Sequence, residues 1–108
     1  VDVSRDAEVA GMIAKAVADH GRLDILINNA GYGIAGTVVT TAEADWNALM
    51  AVNVNGVFLG CKHAIPVMAR QGGGAIVNTA SAVANVGIHD RAAYVASKGA
   101  VAALTRTM

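Results

Sequence analysis

The chain has 108 residues, of which 55% are hydrophobic and 4% aromatic, enough for one domain with a core of small aliphatic side chains. Its formal net charge at pH 7 is zero and its basic residues do not cluster, so the electrostatic footprint of a nucleic-acid-binding surface is absent. One cysteine excludes an internal disulfide, and the sequence shows neither a metal-ligand cluster nor a signal segment. Because no uninterrupted apolar run reaches about twenty residues, we expect a soluble protein without a membrane partner, and the single cysteine and the lack of a signal segment favour a cytoplasmic location.

Apolar periodicity and turn residues divide the chain into alternating strands and helices. Ser4 is the predicted N-cap of a first helix that ends near Gly21, and Leu23–Ile27 is predicted to be a short strand buried on both faces. The alternation predicts a parallel sheet with helices on both faces. Val1-Asp2-Val3 is predicted to be the end of a strand. A helix is predicted over 42–71, capped by Thr40 or Thr41, interrupted near Asn53 and Gly56 and weakened at Pro66. It is followed by a strand at 75–80, a loop at 81–89, and a helix that is capped by Asp90 and runs from Arg91 onward.

Tyr94 and Lys98 give the strongest chemical signal. A four-residue step on a helix turns about 400°, so both side chains leave the same face one turn apart. A phenol is ionised to only about 0.1% at pH 7, and it acts as a base only where its anion is stabilised. An ammonium about 5 Å away, at an effective dielectric constant of about 20, contributes roughly 3 kcal/mol. The spacing alone is weak evidence, because any helix can place a lysine beside a tyrosine by chance.

Polar residues also follow the predicted strands or interrupt a predicted helix. Ser81 comes directly after the strand at 75–80, and ligands of open α/β sheets bind beyond the carboxyl ends of strands; the alternative is a loop serine with a local backbone bond. Asn28-Asn29-Ala30-Gly31 ends the earlier strand, where it is either a plain turn or a place for a ligand to approach. Asn53 and Asn55 are disfavoured inside an apolar helix, and a helix break there could free a carbonyl to hold a proton-relaying water.

These segments together resemble the short-chain dehydrogenase/reductase family. The resemblance rests on Asn28-Asn29-Ala30-Gly31, Val52-Asn53, Ser81 thirteen residues before Tyr94, and Tyr94-x-x-x-Lys98, and it runs the whole length. It implies that residues 1–108 are part of an NAD(P)-binding Rossmann-type domain, the central portion of a doubly wound parallel α/β sheet. It also implies hydride transfer between NAD or NADP and a secondary alcohol or ketone.

The resemblance assigns a role to each matching residue. Tyr94 would exchange a proton with the substrate oxygen, and Lys98 would stabilise the phenolate and bond the nicotinamide ribose. Ser81 would hold the substrate oxygen, and Asn53 would anchor a water that continues the proton path. The residues implied in cofactor binding are Asp2 through its carboxylate to adenine, Val3 through its backbone N–H, Asn29, Ala30 and Gly31 on the adenosine ribose side, and Tyr94 and Lys98.

The same resemblance places the family's first strand, its glycine-rich pyrophosphate loop and its second strand before Val1, and further elements after Met108. The 108 residues alone are therefore not expected to turn over, and they are either part of a longer enzyme or a genuine fragment. The first is favoured, since an incomplete sheet exposes apolar edges. Two rival functions are a catalytically silent NAD(P)-binding scaffold and an epimerase or dehydratase that retains its nicotinamide.

Other side chains are expected to be structural. Cys61 is predicted to be a buried thiol, and His20, His63 and His89 lack the companions that a metal site requires. A stripe of apolar residues is assigned to the core or to a subunit contact, and the resemblance implies a homotetramer. The stripe consists of Trp46, Met50, Val54, Val57, Phe58, Cys61 and Ile65.

Overall fold

The computed structural model describes residues 1–108 as helices on a short parallel sheet. A π-helical turn joins α2 to α3, so the three run as one helical segment from Glu43 to Arg70. The elements in chain order are α1 (Asp6–His20), β1 (Ile25–Asn28), α2 (Glu43–Met50), the π-helical turn (Ala51–Asn55), α3 (Gly56–Arg70), β2 (Ala75–Asn78), α4 (Val83–Val86) and α5 (Ala92–Thr105).

The two strands pair in parallel, in a register that runs from Ile25 opposite Ala75 to Asn28 opposite Asn78. The crossover between them is the long helical segment, as parallel pairing requires. The predicted parallel α/β architecture is confirmed. Both strands end at the same edge of the sheet, and Thr79 extends the ladder there by donating its backbone N–H to the carbonyl of Asn28 at 3.1 Å.

Helices α1, α3 and α5 all pack on one face of this sheet. Leu26 of β1 contacts side chains of α1 and α3, whereas Ile76 of β2 also contacts α5. Ile25 and Ile27 point the other way, because side chains alternate along a strand, and each is 62% exposed. The expectation that this strand is buried on both faces, with helices on both sides, is wrong for these 108 residues, since no element of the chain covers the second face.

The predicted N-caps Ser4, Thr40 or Thr41, and Asp90 are wrong. The Ser4 hydroxyl donates to the Asp2 carboxylate at 2.6 Å, and the Thr41 hydroxyl donates to the carbonyl of Thr37 at 2.6 Å, so both hydroxyls are used in turns before the helices begin. Asp90 adopts a left-handed φ of 60°. The residues at the cap positions are Arg5, Ala42 and Arg91, and none of them makes a side-chain cap bond.

Other predicted boundaries have mixed outcomes. Gly21 ends α1 in the left-handed conformation with φ 78°, as predicted, but Val1-Asp2-Val3 forms no strand. The predicted interruption near Asn53 is the π-helical turn, whereas Pro66 lies inside α3 without ending it. The predicted loop at 81–89 contains the single turn α4.

The helical segment Glu43–Arg70 is 28 residues long, and its length and composition alone would allow it to cross a membrane. Core helices of globular proteins meet the same criterion. Ala64 and Met68 on this segment pack against Ile13 of α1 and Leu26 of β1, which is the arrangement of a core helix.

Gly60 allows α3 to pack directly against β1. A Cβ at Gly60 would collide with the Asn28 side-chain amide, lying 3.1 Å from its Cγ, and that amide donates to Asn78 at 2.9 Å. We expect Gly60→Ala to lower the free energy of unfolding of the full-length protein by about 1–3 kcal/mol. Chemical denaturation measures this change.

Gly11 provides the matched control for this substitution. It also lies inside a helix, but a Cβ there would meet nothing within 4 Å. Gly11→Ala should raise the free energy of unfolding by up to about 1 kcal/mol, the helix-propensity gain. Equal stabilities of the two variants would contradict the close packing of α3 on β1.

Candidate active site

Tyr94 and Lys98 lie one turn apart on the same face of α5, as their spacing predicts. The ammonium nitrogen of Lys98 is 5.8 Å from the centroid of the Tyr94 ring, and the Lys98 residue is only 5% exposed. The Tyr94 hydroxyl makes no hydrogen bond within the chain, so it is available to a ligand. The arrangement places a buried cation beside a free phenol.

Phe58 and Lys62 on α3 show that spacing alone does not make such a site. The Lys62 ammonium lies 5.9 Å from the Phe58 ring centroid, nearly the same distance as in the Tyr94 pair. Lys62, however, is exposed, and its aromatic partner has no hydroxyl. Burial of the lysine and the presence of a phenol distinguish the pair on α5.

Thr79 holds Lys98 in place. The ammonium of Lys98 donates to the backbone carbonyl of Thr79 at 3.0 Å, and the Thr79 hydroxyl donates to the side-chain oxygen of Asn29 at 2.9 Å. Lys98 makes no ion pair with a carboxylate. Thr79 was not predicted as a site residue, although its position just after β2 was the signal that could have found it.

Asn53 is fully buried in the π-helical turn and joins two other elements. Its side-chain oxygen accepts the backbone N–H of Tyr32 at 3.0 Å, and its amide nitrogen donates to the Tyr32 carbonyl at 2.8 Å and to the Ser97 hydroxyl at 3.1 Å. The structure thus brings the predicted Asn53 to the base of the Tyr94 helix. Ser97, next to Lys98 in sequence, was not predicted as a site residue.

Gly31 and Gly33 allow the loop after β1 to lie directly against these side chains. A Cβ at Gly31 would lie 3.2 Å from Asn53 Oδ1 and 3.3 Å from Lys98 Nζ, and one at Gly33 would lie 3.2 Å from the Tyr94 ring. The predicted Gly31 is therefore brought together with Asn53, Tyr94 and Lys98. A ligand that meets this edge meets backbone rather than side chain at the two glycines.

A small pocket continues from this loop along the carboxyl end of β1. Asn29 and Ala30 line it together with Val3, whose methyl group would be 2.8 Å from a Cβ at Gly56. The pocket walls are mostly apolar, which suits the flat face of an adenine ring. Three of the predicted cofactor-binding residues, Asn29, Ala30 and Val3, thus line one pocket.

Asp2 is exposed and directly precedes Val3, which lines this pocket. Its carboxylate accepts hydrogen bonds from the hydroxyl and the backbone N–H of Ser4 at 2.6 and 3.0 Å, and these bonds lower the pKa of the Asp2 carboxyl group. The carboxylate is therefore ionised and able to accept a further donor. Its own backbone N–H donates to Glu8 at 3.1 Å.

Ser81 is not hydrogen-bonded to Tyr94 in this structure. Its hydroxyl oxygen accepts the backbone N–H of Val83 at 3.4 Å, a long bond. The segment that follows packs on α5 next to Lys98, since a Cβ at Gly99 would lie 3.7 Å from the carbonyl oxygen of Ala84. Ser81 thus lies in the short connection between the end of β2 and α4.

The remaining reactive side chains lie away from this group. Cys61 is 4% exposed, and burial raises the pKa of its thiol, so it is a protonated core residue rather than a nucleophile. His63 has a partner that the sequence did not reveal: its Nε2 lies 2.7 Å from Asp6 Oδ1, and this hydrogen bond lowers the pKa of the Asp6 carboxyl group. His89 is exposed beside Asp90.

Comparison with known proteins identifies the family. All of residues 1–108 match the family model of the short chain dehydrogenases, and the chain belongs to this oxidoreductase family. An uncharacterised oxidoreductase of Thermotoga maritima is 47% identical over 107 residues, and 2-(R)-hydroxypropyl-CoM dehydrogenase of Xanthobacter autotrophicus is 43% identical over 110 residues. Each match covers 99% of this chain but only 42% and 44%, respectively, of the relative.

A solved structure is also similar to nearly all of this chain, over less than half of its own length. The crystal structure of NAD+-bound xylitol dehydrogenase superposes with a TM-score of 0.94 at 40% identity, over 98% of this chain and 41% of that one. The predicted family and the predicted central portion of a Rossmann-type α/β fold are confirmed. The chain spans less than half the length of these relatives.

Proposed function

We propose that the full-length protein is an NAD(P)-dependent oxidoreductase that interconverts a secondary alcohol and a ketone, with Tyr94 as the acid/base. The observation that carries this proposal is the buried Lys98 ammonium, 5.8 Å from the Tyr94 ring centroid and bonded to a neutral carbonyl. The dehydrogenase among the relatives and the NAD+-bound xylitol dehydrogenase support the reaction class.

Tyr94 performs the proton transfer. In the oxidation direction its phenolate accepts the proton of the substrate hydroxyl, and in the reduction direction its phenol returns a proton to the carbonyl oxygen. The nicotinamide, when bound, takes up or supplies the hydride at the substrate carbon. The free Tyr94 hydroxyl described above is what this step needs.

Lys98 stabilises the charged form of Tyr94. A unit charge about 6 Å away at an effective dielectric constant of about 20 contributes roughly 3 kcal/mol. An ammonium has three N–H donors, and only one is used, by the carbonyl of Thr79. The other two remain for the phenolate and for the hydroxyls of a nicotinamide ribose.

Ser81 and Asn53 complete the proposed site. The single long bond that Ser81 accepts leaves its hydroxyl proton for the substrate oxygen. All polar atoms of the Asn53 side-chain amide are engaged by Tyr32 and Ser97. A water that continues the proton path from Lys98 would therefore bind the main-chain carbonyl of Asn53, within the π-helical turn, rather than its side chain.

The cofactor is NAD or NADP, and the residues present fit it. The pocket beside Val3, Asn29 and Ala30 accepts the adenosine part, with Asp2 as acceptor for the adenine amino group. Gly31 leads from this pocket to Lys98, which connects the adenosine side to the nicotinamide side. The 108 residues alone are not expected to turn over.

We also propose a homotetramer. Phe58 and Ile65 on α3 are 50% and 42% exposed, whereas Val57 and Cys61 of the same predicted stripe belong to the core. The exposed members form an apolar surface of the kind that subunit contacts cover.

The function is tested by incubating the full-length protein with NAD+ or NADP+ and a panel of secondary alcohols, and with the reduced cofactors and ketones. We expect substrate-dependent, net interconversion of oxidised and reduced nicotinamide, followed by its absorbance. Cofactor binding without turnover across the panel would indicate a silent scaffold. Product formation without any net change in free cofactor would indicate an epimerase or dehydratase, and either result would overturn the proposal.

A further inference from the structure

Ser97 lies at the centre of a buried hydrogen-bond chain. It is fully buried, its hydroxyl donates to the backbone carbonyl of Tyr94 at 2.7 Å, and its oxygen accepts from the Asn53 amide at 3.1 Å. Asn53 in turn holds both backbone groups of Tyr32. The chain links the loop after β1, the π-helical turn and α5.

The direction of each bond in this chain is fixed. The backbone N–H of Tyr32 faces the Asn53 side-chain oxygen, and the Tyr32 carbonyl faces the Asn53 side-chain nitrogen. A flipped amide would place its NH₂ group against the Tyr32 N–H and its oxygen against the Tyr32 carbonyl, so neither bond could form. The second amide N–H of Asn53 must therefore point at Ser97. Because a serine hydroxyl has one proton, that proton goes to the carbonyl of Tyr94.

These hydrogen bonds connect the two parts of the proposed active site, the loop after β1 and helix α5. Gly31 lies between Asn53 and Lys98, where a Cβ would make tight contacts of 3.2 Å with Asn53 Oδ1 and 3.3 Å with Lys98 Nζ. If the π-helical turn moved away from α5, Gly31 and the adjoining loop would no longer lie against Tyr94 and Lys98. Ser97 is the only side chain of α5 that is hydrogen-bonded to Asn53.

We infer that Ser97 is a positioning residue, which fixes Asn53 and the Gly31–Tyr32 loop against the helix of Tyr94 and Lys98 without touching the substrate. This inference rests on the proposed function. It predicts that the hydroxyl of Ser97 affects the rate of the chemical step through the placement of other groups. Small misplacements of reacting groups are costly to rate even when the residue changed is distant from the reaction.

Thr105 offers a matched control on the same helix. Its hydroxyl donates to the carbonyl of Val101 at 2.7 Å and accepts from the Asn78 amide at 3.0 Å, the same donor and acceptor pattern as Ser97. It lies about two turns beyond Ser97, is exposed where Ser97 is buried, and is hydrogen-bonded to none of the proposed site residues. Ser97→Ala and Thr105→Val each delete one hydroxyl with this pattern.

The experiment compares both variants in the full-length protein. For Ser97→Ala we expect kcat to fall roughly 10-fold with little change in KM, the rising limb of the pH–rate profile to move to higher pH, and backbone amide exchange at Tyr32 to accelerate. Thr105→Val should change stability but none of these three readouts. Ser97→Cys, which keeps a weak donor and acceptor of similar size, should recover part of kcat, and it also serves if the alanine variant does not fold.

The inference would be overturned if Ser97→Ala kept the kcat, the pH profile and the Tyr32 exchange rate of the wild-type protein. It would also be overturned if Thr105→Val changed these readouts as much as Ser97→Ala does. Should the wild-type protein oxidise no alcohol, the proposed function fails on its own. Exchange at Tyr32 then still decides the structural part, because it requires neither substrate nor cofactor.

Discussion

Tyr94→Phe should lower kcat/KM of the full-length protein about 10³-fold while leaving cofactor affinity unchanged. The substitution removes the hydroxyl that we propose exchanges the proton but retains the ring that packs against Gly33, and general acid–base catalysis contributes about 10²- to 10⁴-fold. Steady-state kinetics measures the first effect, and fluorescence titration with the reduced cofactor measures the second. The loss should appear in kcat, since the hydroxyl acts in the transition state.

The same variant also carries the test of the acid/base assignment. If Tyr94→Phe retains a rate close to wild type, the proton is transferred by another group, and the phenol on α5 has no chemical role. A loss of cofactor binding together with activity would instead indicate that the ring is needed to shape the cofactor site. Only a selective loss of rate agrees with the proposal.

Lys98→Met should lower kcat roughly 10²-fold without lowering stability. The rate effect follows from losing the roughly 3 kcal/mol by which the cation stabilises the phenolate. Stability should be equal to or greater than wild type, because Lys98 is 5% exposed and has no carboxylate partner, and a buried charge without an ionic partner is costly. Kinetics and thermal unfolding of the same preparation measure both.

Lys62→Met is the control for this substitution. Lys62 stands in the same relation to Phe58, at 5.9 Å from the ring centroid, but on an exposed surface of α3. It should leave kcat unchanged. A comparable loss of rate in both variants would mean that general electrostatics, and not the placement of Lys98 beside Tyr94, sets the activity.

The sequence predicted the parts of the site that depend on spacing along one element. Tyr94 and Lys98 meet on α5 because four residues make about one helical turn, and Asn53 marks the π-helical turn because an amide is disfavoured in an apolar helix. The sequence could not reveal Thr79 as the partner of Lys98 or Ser97 as the partner of Asn53. Those bonds depend on how separate elements pack, and periodicity carries no information on packing.

The wrong helix caps have a local cause. Ser4 and Thr41 are residue types that cap helices, but each hydroxyl has an acceptor within its own turn, Asp2 and the carbonyl of Thr37 respectively. Competition between a turn and a cap is decided by small differences in backbone geometry. Residue identity alone does not contain them.

The exposure of Ile25 and Ile27 has a different cause. Their apolar character correctly predicts a strand, but whether both faces of a strand are covered depends on which elements surround the sheet. Within these 108 residues, α1, α3 and α5 lie on one side. A run of apolar residues therefore indicates that a strand can be buried, but it does not show which elements would cover it.

The peptide carbonyl that holds Lys98 has a consequence for how the protein responds to its surroundings. An amide dipole orients an ammonium but does not neutralise it, so a full unit of positive charge persists within the interior. Counter-ions of the solvent screen exposed charges far more effectively than enclosed ones. The attraction of the Lys98 ammonium for oxygen atoms that carry negative charge should therefore persist in concentrated salt, where the attraction exerted by charges on the protein surface is screened.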